Sequence, residues 1–340
     1  MDRILKCRTS ALGGHEWTCE CGHKKNIYNS CNNRSCPQCS WHQINLWTEK
    51  RLKKVIERDH FHVVFTIPEE INRLWLKNSS LMAYILFESV KDTIKVFSHD
   101  IRYIGAKTGS ILNLHTWGQN MSLHPHIHCL ITAGGINENG NWINSKGEYL
   151  FPVKAMKKYF RGKFLIILKN YAKTFNDEIA ILNMIDMLFD KEWNVFIKEK
   201  YSHAEGVIKY LARYVKGGPI KDSRIVNFND KNVTFRYKDY RDNKEKIMTL
   251  SMKVFIQRLL LHIPPSRFKT IRYIGLYSPQ SFKKYYSLLK KYDLETELKN
   301  KSEIYKPEIC PACRTIMKGP TRLLPEKHIK LIRPPPLCAA

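Results

Sequence analysis

A short run of histidines carries the strongest chemical signal in the chain, because residues 124–128 read HPHIH. Alternate side chains of a β-strand point to the same face, so His126 and His128 would face one way and Ile127 the other. Two imidazoles at this spacing can bind one divalent cation. Such a pair is also common in strands where the histidines only pack. The motif therefore becomes specific only together with the other motifs of the chain.

A second signal is the pair of tyrosines in YLARY, residues 210–214. Residues i and i+4 lie on one face of a helix, one turn apart. The hydroxyls of Tyr210 and Tyr214 would therefore face the same site, where phenols are candidate nucleophiles. The alternative is that both rings pack on a helix face and take no part in chemistry.

Cysteines are concentrated at the beginning of the chain, where six of the ten precede residue 40. No export signal is visible there, which argues against a disulfide framework. Thiolates this closely spaced predict a tetrahedral zinc site that supplies folding energy to a segment with little core of its own. The predicted ligands are Cys19, Cys21, Cys31, Cys36 and Cys39. A second ion could be bound, or one of three other residues could replace a ligand: Cys7, His15 or His23.

A further pair of cysteines, Cys310 and Cys313, forms a CPAC knuckle near the other end of the chain. The sequence allows two interpretations of this cysteine pair. His328 and Cys338 could complete a second metal site, or the two cysteines could be plain turn residues.

The elements that must position these residues follow from the spacing of apolar side chains. Alternating or β-branched runs predict strands over residues 60–67, 111–117 and 126–132, with a hairpin turn between the last two. Helices are predicted over residues 80–97, 204–216 and 251–262, and helical patterns fill residues 153–200. Further strands are predicted over 224–228 and 233–238, followed by a hairpin to residue 250. HPHIH thus falls on a strand and YLARY on a helix.

The composition indicates a polyanionic partner. The 340 residues include 57 Lys and Arg against 31 Asp and Glu, which gives a formal charge of +26. A hydrophobic fraction of 43% is enough for packed cores, which excludes a wholly disordered basic chain. No apolar run reaches the roughly 18 residues of a membrane span. We therefore expect a cytoplasmic protein that binds nucleic acid.

Together these motifs resemble those of a two-tyrosine rolling-circle transposase of the HUH nuclease superfamily, the kind encoded by bacterial insertion sequences. The resemblance extends over nearly the whole chain, in the segments CRTSALGGHEWTCECGHKKNIYNSCNNRSCPQC, LHTWGQNMSLHPHIHCLITAGG, YLARYVKGGPI, VTFRYKDYRDNK and FIQRLLLHIPPSRFKTIRYIGLYS. One departure is the CxC at Cys19 and Cys21, where the family pattern has CxxC. This departure concerns individual zinc ligands and leaves the zinc-binding module itself intact.

The resemblance implies an α+β fold: an HUH-type catalytic domain with a central antiparallel sheet flanked by helices, plus a small N-terminal zinc-binding module. The implied boundaries are 1–45 for the module, 46–275 for the catalytic domain and 276–340 for a basic C-terminal region. His126 and His128 are implied to bind Mg²⁺ or Mn²⁺, and the module a structural Zn²⁺. Tyr210 and Tyr214 are implied to attack the scissile phosphate and to form 5′-phosphotyrosine intermediates.

The third ligand of the catalytic metal is predicted to be Gln119, in the turn just before the histidines, with His115 and His124 as alternatives. An oxygen ligand at this place would favour Mg²⁺ or Mn²⁺, whereas imidazoles alone suit zinc or manganese.

The implied partners are single-stranded DNA at the ends of a mobile element and target DNA, with host replication proteins or a helicase as helpers. The predicted DNA contacts are Lys24, Lys25, Arg34 and Arg213. For Arg213 the alternative is a solvated surface arginine. Two other functions remain open: an HUH replication initiator or relaxase, and a non-catalytic zinc-bearing DNA-binding protein.

Overall fold

In the computed structural model the chain forms two compact units. The terminal unit comprises Met1–Gln43 with Thr296–Ala340, and the central unit comprises Ile44–Glu295. The structure describes residues 2–33, 36, 39, 44–49, 54–56, 58–146, 150–201, 218–239, 242–265, 268–290 and 308–325.

Strands and helices alternate irregularly along the described residues. The strands are β1 (Gly14–Thr18), β2 (Lys24–Tyr28), β3 (His60–Thr66), β4 (Lys107–Trp117), β5 (Leu123–Ile136), β6 (Trp142–Asn144), β7 (Asn194–Tyr201), β8 (Ile225–Phe228), β9 (Asn232–Asp239), β10 (Lys244–Ser251), β11 (Ile271–Gly275) and β12 (Lys318–Leu323). The helices are α1 (Asp2–Leu5), α2 (Asn72–Lys77), α3 (Ser79–His99), α4 (Val153–Asn170), α5 (Glu178–Asp190), α6 (Met252–Leu261) and α7 (Pro279–Lys290).

The central unit is built on a six-stranded antiparallel sheet in the order β11-β4-β5-β3-β7, with β6 added alongside β5. Alternation gives this sheet one strongly apolar face, where Val63 and Phe65 of β3 and Ile127 of β5 are fully buried. Side chains from α3, α4 and α5 belong to the same core, among them Phe87 and Phe160. The predicted central antiparallel sheet flanked by helices is therefore confirmed.

Predicted and observed elements agree where the pattern is long and local. The predicted strand over 60–67 is β3 with one residue more, and those over 111–117 and 126–132 lie within β4 and β5. The helix over 80–97 lies within α3. The helix over 251–262 is α6, and the Ser251 hydroxyl oxygen caps it by accepting the Val254 N–H at 3.4 Å. The helix over 204–216 lies outside the described residues.

The helical pattern of residues 153–200 does not continue to its end. Helix α5 ends at Asp190, and the chain then forms β7, which pairs with the edge of β3. The pairing satisfies backbone groups of both strands and buries Val195. The stabilisation of β7 depends on a partner strand about 130 residues away in sequence. Local periodicity therefore could not predict this strand.

Two smaller sheets complete the described structure. In the central unit, β8, β9 and β10 form an antiparallel sheet beside α6, whereas in the terminal unit β12, β1 and β2 form another. This division differs from the predicted C-terminal region 276–340: α7 belongs to the central unit, and residues 308–325 belong to the terminal unit. None of the helices in the described residues has both the length and the apolar character that a membrane span requires.

A fully buried histidine, His60, joins the beginning of β3 to neighbouring segments by hydrogen bonds. Nδ1 of His60 lies 2.6 Å from the Arg58 carbonyl oxygen and donates to it, and the Tyr277 hydroxyl donates to Nε2 at 2.8 Å. The Tyr277 oxygen in turn accepts the Ile56 N–H at 3.1 Å. Burial lowers the pKa of His60 from 6.5 to about 4, so the imidazole is neutral in the folded protein at neutral pH.

This histidine should make the central unit less stable in mild acid. Between pH 6.5 and about pH 4 the unfolded chain protonates residue 60 and the folded chain does not. The stability from the neutral imidazole is therefore complete above pH 6.5 and is lost as the pH falls through this range. Between pH 7 and pH 5 the loss from His60 is about 2 kcal/mol. Urea unfolding of His60→Gln should show a weaker pH dependence by that amount, while the exposed-site control His99→Gln should match the wild type. An unchanged pH dependence in His60→Gln would contradict the assignment.

Candidate functional site

Three imidazoles meet on the sheet face opposite the large apolar core. His126 and His128 lie on β5, and His115 lies on β4 directly opposite His126. One ring nitrogen of each residue lies within 4.8 Å of the others, and the Nε2 atoms of His126 and His128 are 3.1 Å apart. Ile127 points to the other face and is fully buried. The structure therefore brings both predicted histidines together and adds a third.

Neighbouring groups fix the orientation of each ring. Nδ1 of His126 donates to the His124 carbonyl oxygen at 2.6 Å. Nδ1 of His128 lies 2.8 Å from Nε2 of His62 on β3, and the Asn113 amide lies 2.8 Å from Nε2 of His115. Contacts of this kind hold a metal-binding imidazole in one tautomer and one orientation.

The rings of His126, His128 and His62 are uncharged at neutral pH. Burial, and then the neighbouring His115, lower the pKa values of His126 and His128 well below 6.5. Burial also lowers the pKa of His62 to about 4. At neutral pH these rings are unprotonated and keep lone pairs, which is the state that a divalent metal requires. The donor set thus fits a divalent cation.

The structure places Gln119 away from the strand positions of the three imidazoles. It lies in the turn between β4 and β5, where its carbonyl oxygen accepts a hydrogen bond from Arg224. His124, the other alternative, is exposed at the beginning of β5. The third nitrogen beside His126 and His128 belongs to His115.

Hydrogen bonds from α6 and the residue after it hold the β4–β5 turn that follows His115. Arg258 of α6 donates to the Asn120 carbonyl oxygen at 3.0 Å. His262, just after α6, contacts the Met121 carbonyl oxygen at 3.1 Å through Nε2 and the Thr116 hydroxyl at 3.1 Å through Nδ1. These contacts fix the end of the β4–β5 hairpin and so help to position the imidazoles.

The predicted nucleophiles Tyr210 and Tyr214, and the predicted DNA contact Arg213, lie outside the described residues. Arg34 does so as well. Of the remaining DNA-contact candidates, Lys24 lies 3.7 Å from a Glu16 carboxylate oxygen and Lys25 pairs with Glu308. Both lysines therefore already have acidic neighbours within the terminal unit.

The five predicted zinc ligands are divided between two groups of four thiols, which Cys7, Cys310 and Cys313 complete. The first cluster is Cys7, Cys31, Cys36 and Cys39, and the second cluster is Cys19, Cys21, Cys310 and Cys313. Within each cluster all Sγ atoms lie within 4.8 Å of one another. Sulfurs of a tetrahedral zinc site, with Zn–S near 2.3 Å, are about 3.8 Å apart.

The first cluster has the spacing and the hydrogen bonds of a zinc site. Cys39 Sγ lies 3.5 Å from Cys7 Sγ and 3.6 Å from Cys31 Sγ. The Cys31 N–H donates to Cys7 Sγ, and the Asn33 N–H donates to Cys31 Sγ, both at 3.4 Å. Backbone donors of this kind stabilise the negative charge of thiolates.

Sequence reasoning did not name His62 or Asn113, and it named Cys7 only as a possible replacement ligand. His62 had a visible signal, since His60 and His62 repeat the alternation of HPHIH on the neighbouring strand. Asn113 had none, because only the register of β4 against β5 sets it opposite His128. Cys7 carried no local pairing signal either, since its cluster partners begin 24 residues later.

Comparison with known proteins identifies related sequences. A family model described as "Putative transposase" matches residues 109–284, and one described as "Transposase zinc-binding domain" matches residues 1–67. "Putative transposase y4qJ" of Sinorhizobium fredii (strain NBRC 101917 / NGR234) is 38% identical over 289 residues, which are 81% of this chain and 73% of the relative. "Transposase for insertion sequence element IS801" of Pseudomonas savastanoi pv. phaseolicola is 28% identical over 291 residues, 80% of this chain and 68% of the relative. No solved structure matches the chain.

The matched ranges coincide with the chemistry described above. The first range contains the three imidazoles and both predicted tyrosines, and the second contains the whole first cluster. The zinc-binding match and the four-thiol geometry together support structural zinc in the terminal unit.

The three imidazoles should bind Mn²⁺, and each should be needed. His115→Ala, His126→Ala and His128→Ala should lose binding in a titration that follows free Mn²⁺ by electron paramagnetic resonance. His62→Ala should weaken binding about 10- to 100-fold, because His62 only orients a ligand. The matched variants Gln119→Ala and His124→Ala should bind as the wild type does. Loss of binding in Gln119→Ala with retention in His115→Ala would reverse the choice of third ligand; circular dichroism checks that each variant folds.

Proposed function

Since this chain belongs to the family of insertion-sequence transposases with an N-terminal zinc-binding domain, we propose that it cleaves and rejoins single strands of DNA through tyrosine nucleophiles next to a divalent metal. The observation that carries this proposal is the group of three closely spaced imidazoles on β4 and β5. A merely structural role would not require three neighbouring rings with individually fixed nitrogens. Family membership favours transposition over the alternatives of replication initiation or conjugative relaxation.

The residues that would hold the metal are His115, His126 and His128. When bound, a divalent cation there acts as a Lewis acid on the scissile phosphate. Three nitrogen ligands favour Mn²⁺ over Mg²⁺, because Mg²⁺ prefers oxygen ligands. His62 and Asn113 hold two of the rings in the orientation that binding needs.

The proposed nucleophiles are Tyr210 and Tyr214. One phenol oxygen forms a bond to phosphorus while the bond to the 3′ oxygen breaks, which leaves a 5′-phosphotyrosine and a free 3′-OH. The phenol proton is released and the departing 3′ oxygen takes up a proton. No water attacks phosphorus, so a 3′-OH can later reverse the step and rejoin a strand. A second tyrosine permits a second cleavage while the first covalent link persists.

The charge distribution supports DNA as the partner. Residues 231–340 include 24 Lys and Arg against 9 Asp and Glu, and Arg236 and Lys238 of β9 and Lys244 of β10 are exposed. Contacts of such side chains with phosphates supply affinity without reading sequence. We further propose that the DNA is single-stranded at the element ends, and that host replication proteins or a helicase expose it.

Loss of the metal site should separate cleavage from binding. With labelled single-stranded element ends and Mn²⁺, His126→Ala and His128→Ala should reduce nicking at least about 100-fold. Their DNA affinity should stay within about 3-fold, because affinity comes mainly from backbone contacts. The surface control His99→Ala should nick normally. Near wild-type nicking by either site variant would contradict the metal assignment.

The tyrosines can be tested by removing one oxygen at a time. Tyr210→Phe and Tyr214→Phe keep the ring, so each should retain some single-strand cleavage but fail to complete transposition, which needs two covalent links. The double variant should give no covalent protein–DNA band on a denaturing gel, and the exposed control Tyr84→Phe should give a normal one. Complete transposition by either single variant would reduce the mechanism to one nucleophile.

A further inference from the structure

The second cluster joins two distant parts of the chain. Cys19 and Cys21 lie in the turn between β1 and β2, where the Cys19 N–H donates to the His23 carbonyl oxygen at 2.9 Å. Cys310 and Cys313 lie in a separate turn, in which the Cys310 N–H donates to the Thr315 carbonyl oxygen at 2.8 Å. Each pair is thus presented at the tip of a hydrogen-bonded turn.

Pairing of β1 with β12 brings these two turns together. The two strands are antiparallel, with Gly14 opposite Leu323 and Thr18 opposite Lys318. This register places the end of β1, which precedes Cys19, next to the beginning of β12, which follows the turn of Cys313. The terminal unit therefore forms from both ends of the chain, and β12 completes a sheet that the first 43 residues do not contain by themselves.

The sulfur positions fit one metal ion. Cys19 Sγ lies 3.3 Å from Cys313 Sγ, and Cys21 Sγ lies 3.6 Å from Cys310 Sγ. A disulfide would need about 2.0 Å, whereas a tetrahedral zinc site places its sulfurs about 3.8 Å apart. An iron–sulfur cluster would hold the four thiolates farther apart, because several iron atoms would lie between them.

The surroundings of the sulfurs also suit a structural metal. Cys310 is fully buried and packs with Trp17 and Met317 in a small apolar cluster. The Thr315 hydroxyl lies 3.3 Å from Cys19 Sγ and 3.1 Å from Cys313 Sγ, so it can donate a hydrogen bond to a thiolate. These contacts are those of a small, partly buried thiolate site.

We propose that the second cluster binds a structural Zn²⁺ of its own, so that the terminal unit holds two zinc ions and the second one links the beginning of the chain to its end. Binding converts the four thiols to thiolates and releases their protons to solvent. The ligands come from positions 289 and 294 residues apart, so the ion closes a loop that contains the entire central unit. The zinc-binding domain matched at residues 1–67 is, in this chain, incomplete without residues 308–325.

The test is the zinc content of the reduced full-length protein. It is measured by elemental mass spectrometry in a His126→Ala/His128→Ala background, so that the imidazoles contribute no zinc. The expected count is two per chain. Cys310→Ser/Cys313→Ser and Cys36→Ser/Cys39→Ser should each lower it to one, and the controls Cys338→Ser and His328→Ala should keep two.

A second measurement tests the zinc link without removing any cysteine, so it does not depend on whether the cysteine variants fold. A specific protease site placed within residues 296–306 should, after cleavage, leave the C-terminal fragment bound to the rest of the chain, and a strong zinc chelator should release it. A count of one in the parent protein, or two in Cys310→Ser/Cys313→Ser, would overturn the proposal. So would release of the fragment with zinc still bound. None of these readouts depends on nicking, so failure here would leave the proposed catalytic function untouched.

Discussion

The antiparallel pairing of β4 with β5 is the interaction on which both the core and the candidate site depend. One register sets His115 opposite His126 and, on the other face, Leu114 opposite Ile127 in the buried core. A slip of one residue would exchange the two faces, so it would bury imidazoles among the helices and expose leucine and isoleucine. The free energy that holds the apolar core in register therefore also holds the geometry of the three imidazoles.

Burial disfavours the protonated form of the imidazoles in the site. Hydrogen bonds from neighbouring residues offset the cost of removing the rings from water. Imidazoles removed from water resist protonation, and the three rings would repel one another if charged. Oriented by His62 and Asn113, they form a set of nitrogen donors that fits a divalent cation. The contacts of Arg258 and His262 with the β4–β5 turn extend this rigidity to the turn of the hairpin. A site built on paired strands in this way is more precise than one built on loops.

The terminal unit has a different source of stability, because it is too small to be stabilised by a hydrophobic core alone. Its described apolar clusters are made largely of cysteines, with Trp17 and Met317 among the few other members. Structural zinc bound by these thiolates would supply the folding energy that such a small core does not. Because β12 comes from the far end of the chain, the central unit is an insertion within this module.

Local spacing determined the parts of this protein that depend on neighbours in sequence. The alternation in HPHIH places His126 and His128 on one face of any strand, and the patterns of β3, α3 and α6 are equally local. Gln119 was favoured as third ligand because it is near in sequence, whereas His115 is near in space, and only the β4–β5 register decides between them. The same holds for β7, whose strand form depends on β3, and for Cys19 and Cys21, which meet Cys310 and Cys313 through the pairing of β1 with β12. Periodicity is a property of one segment, but register and the meeting of distant turns belong to pairs of segments, so only the tertiary structure could decide them.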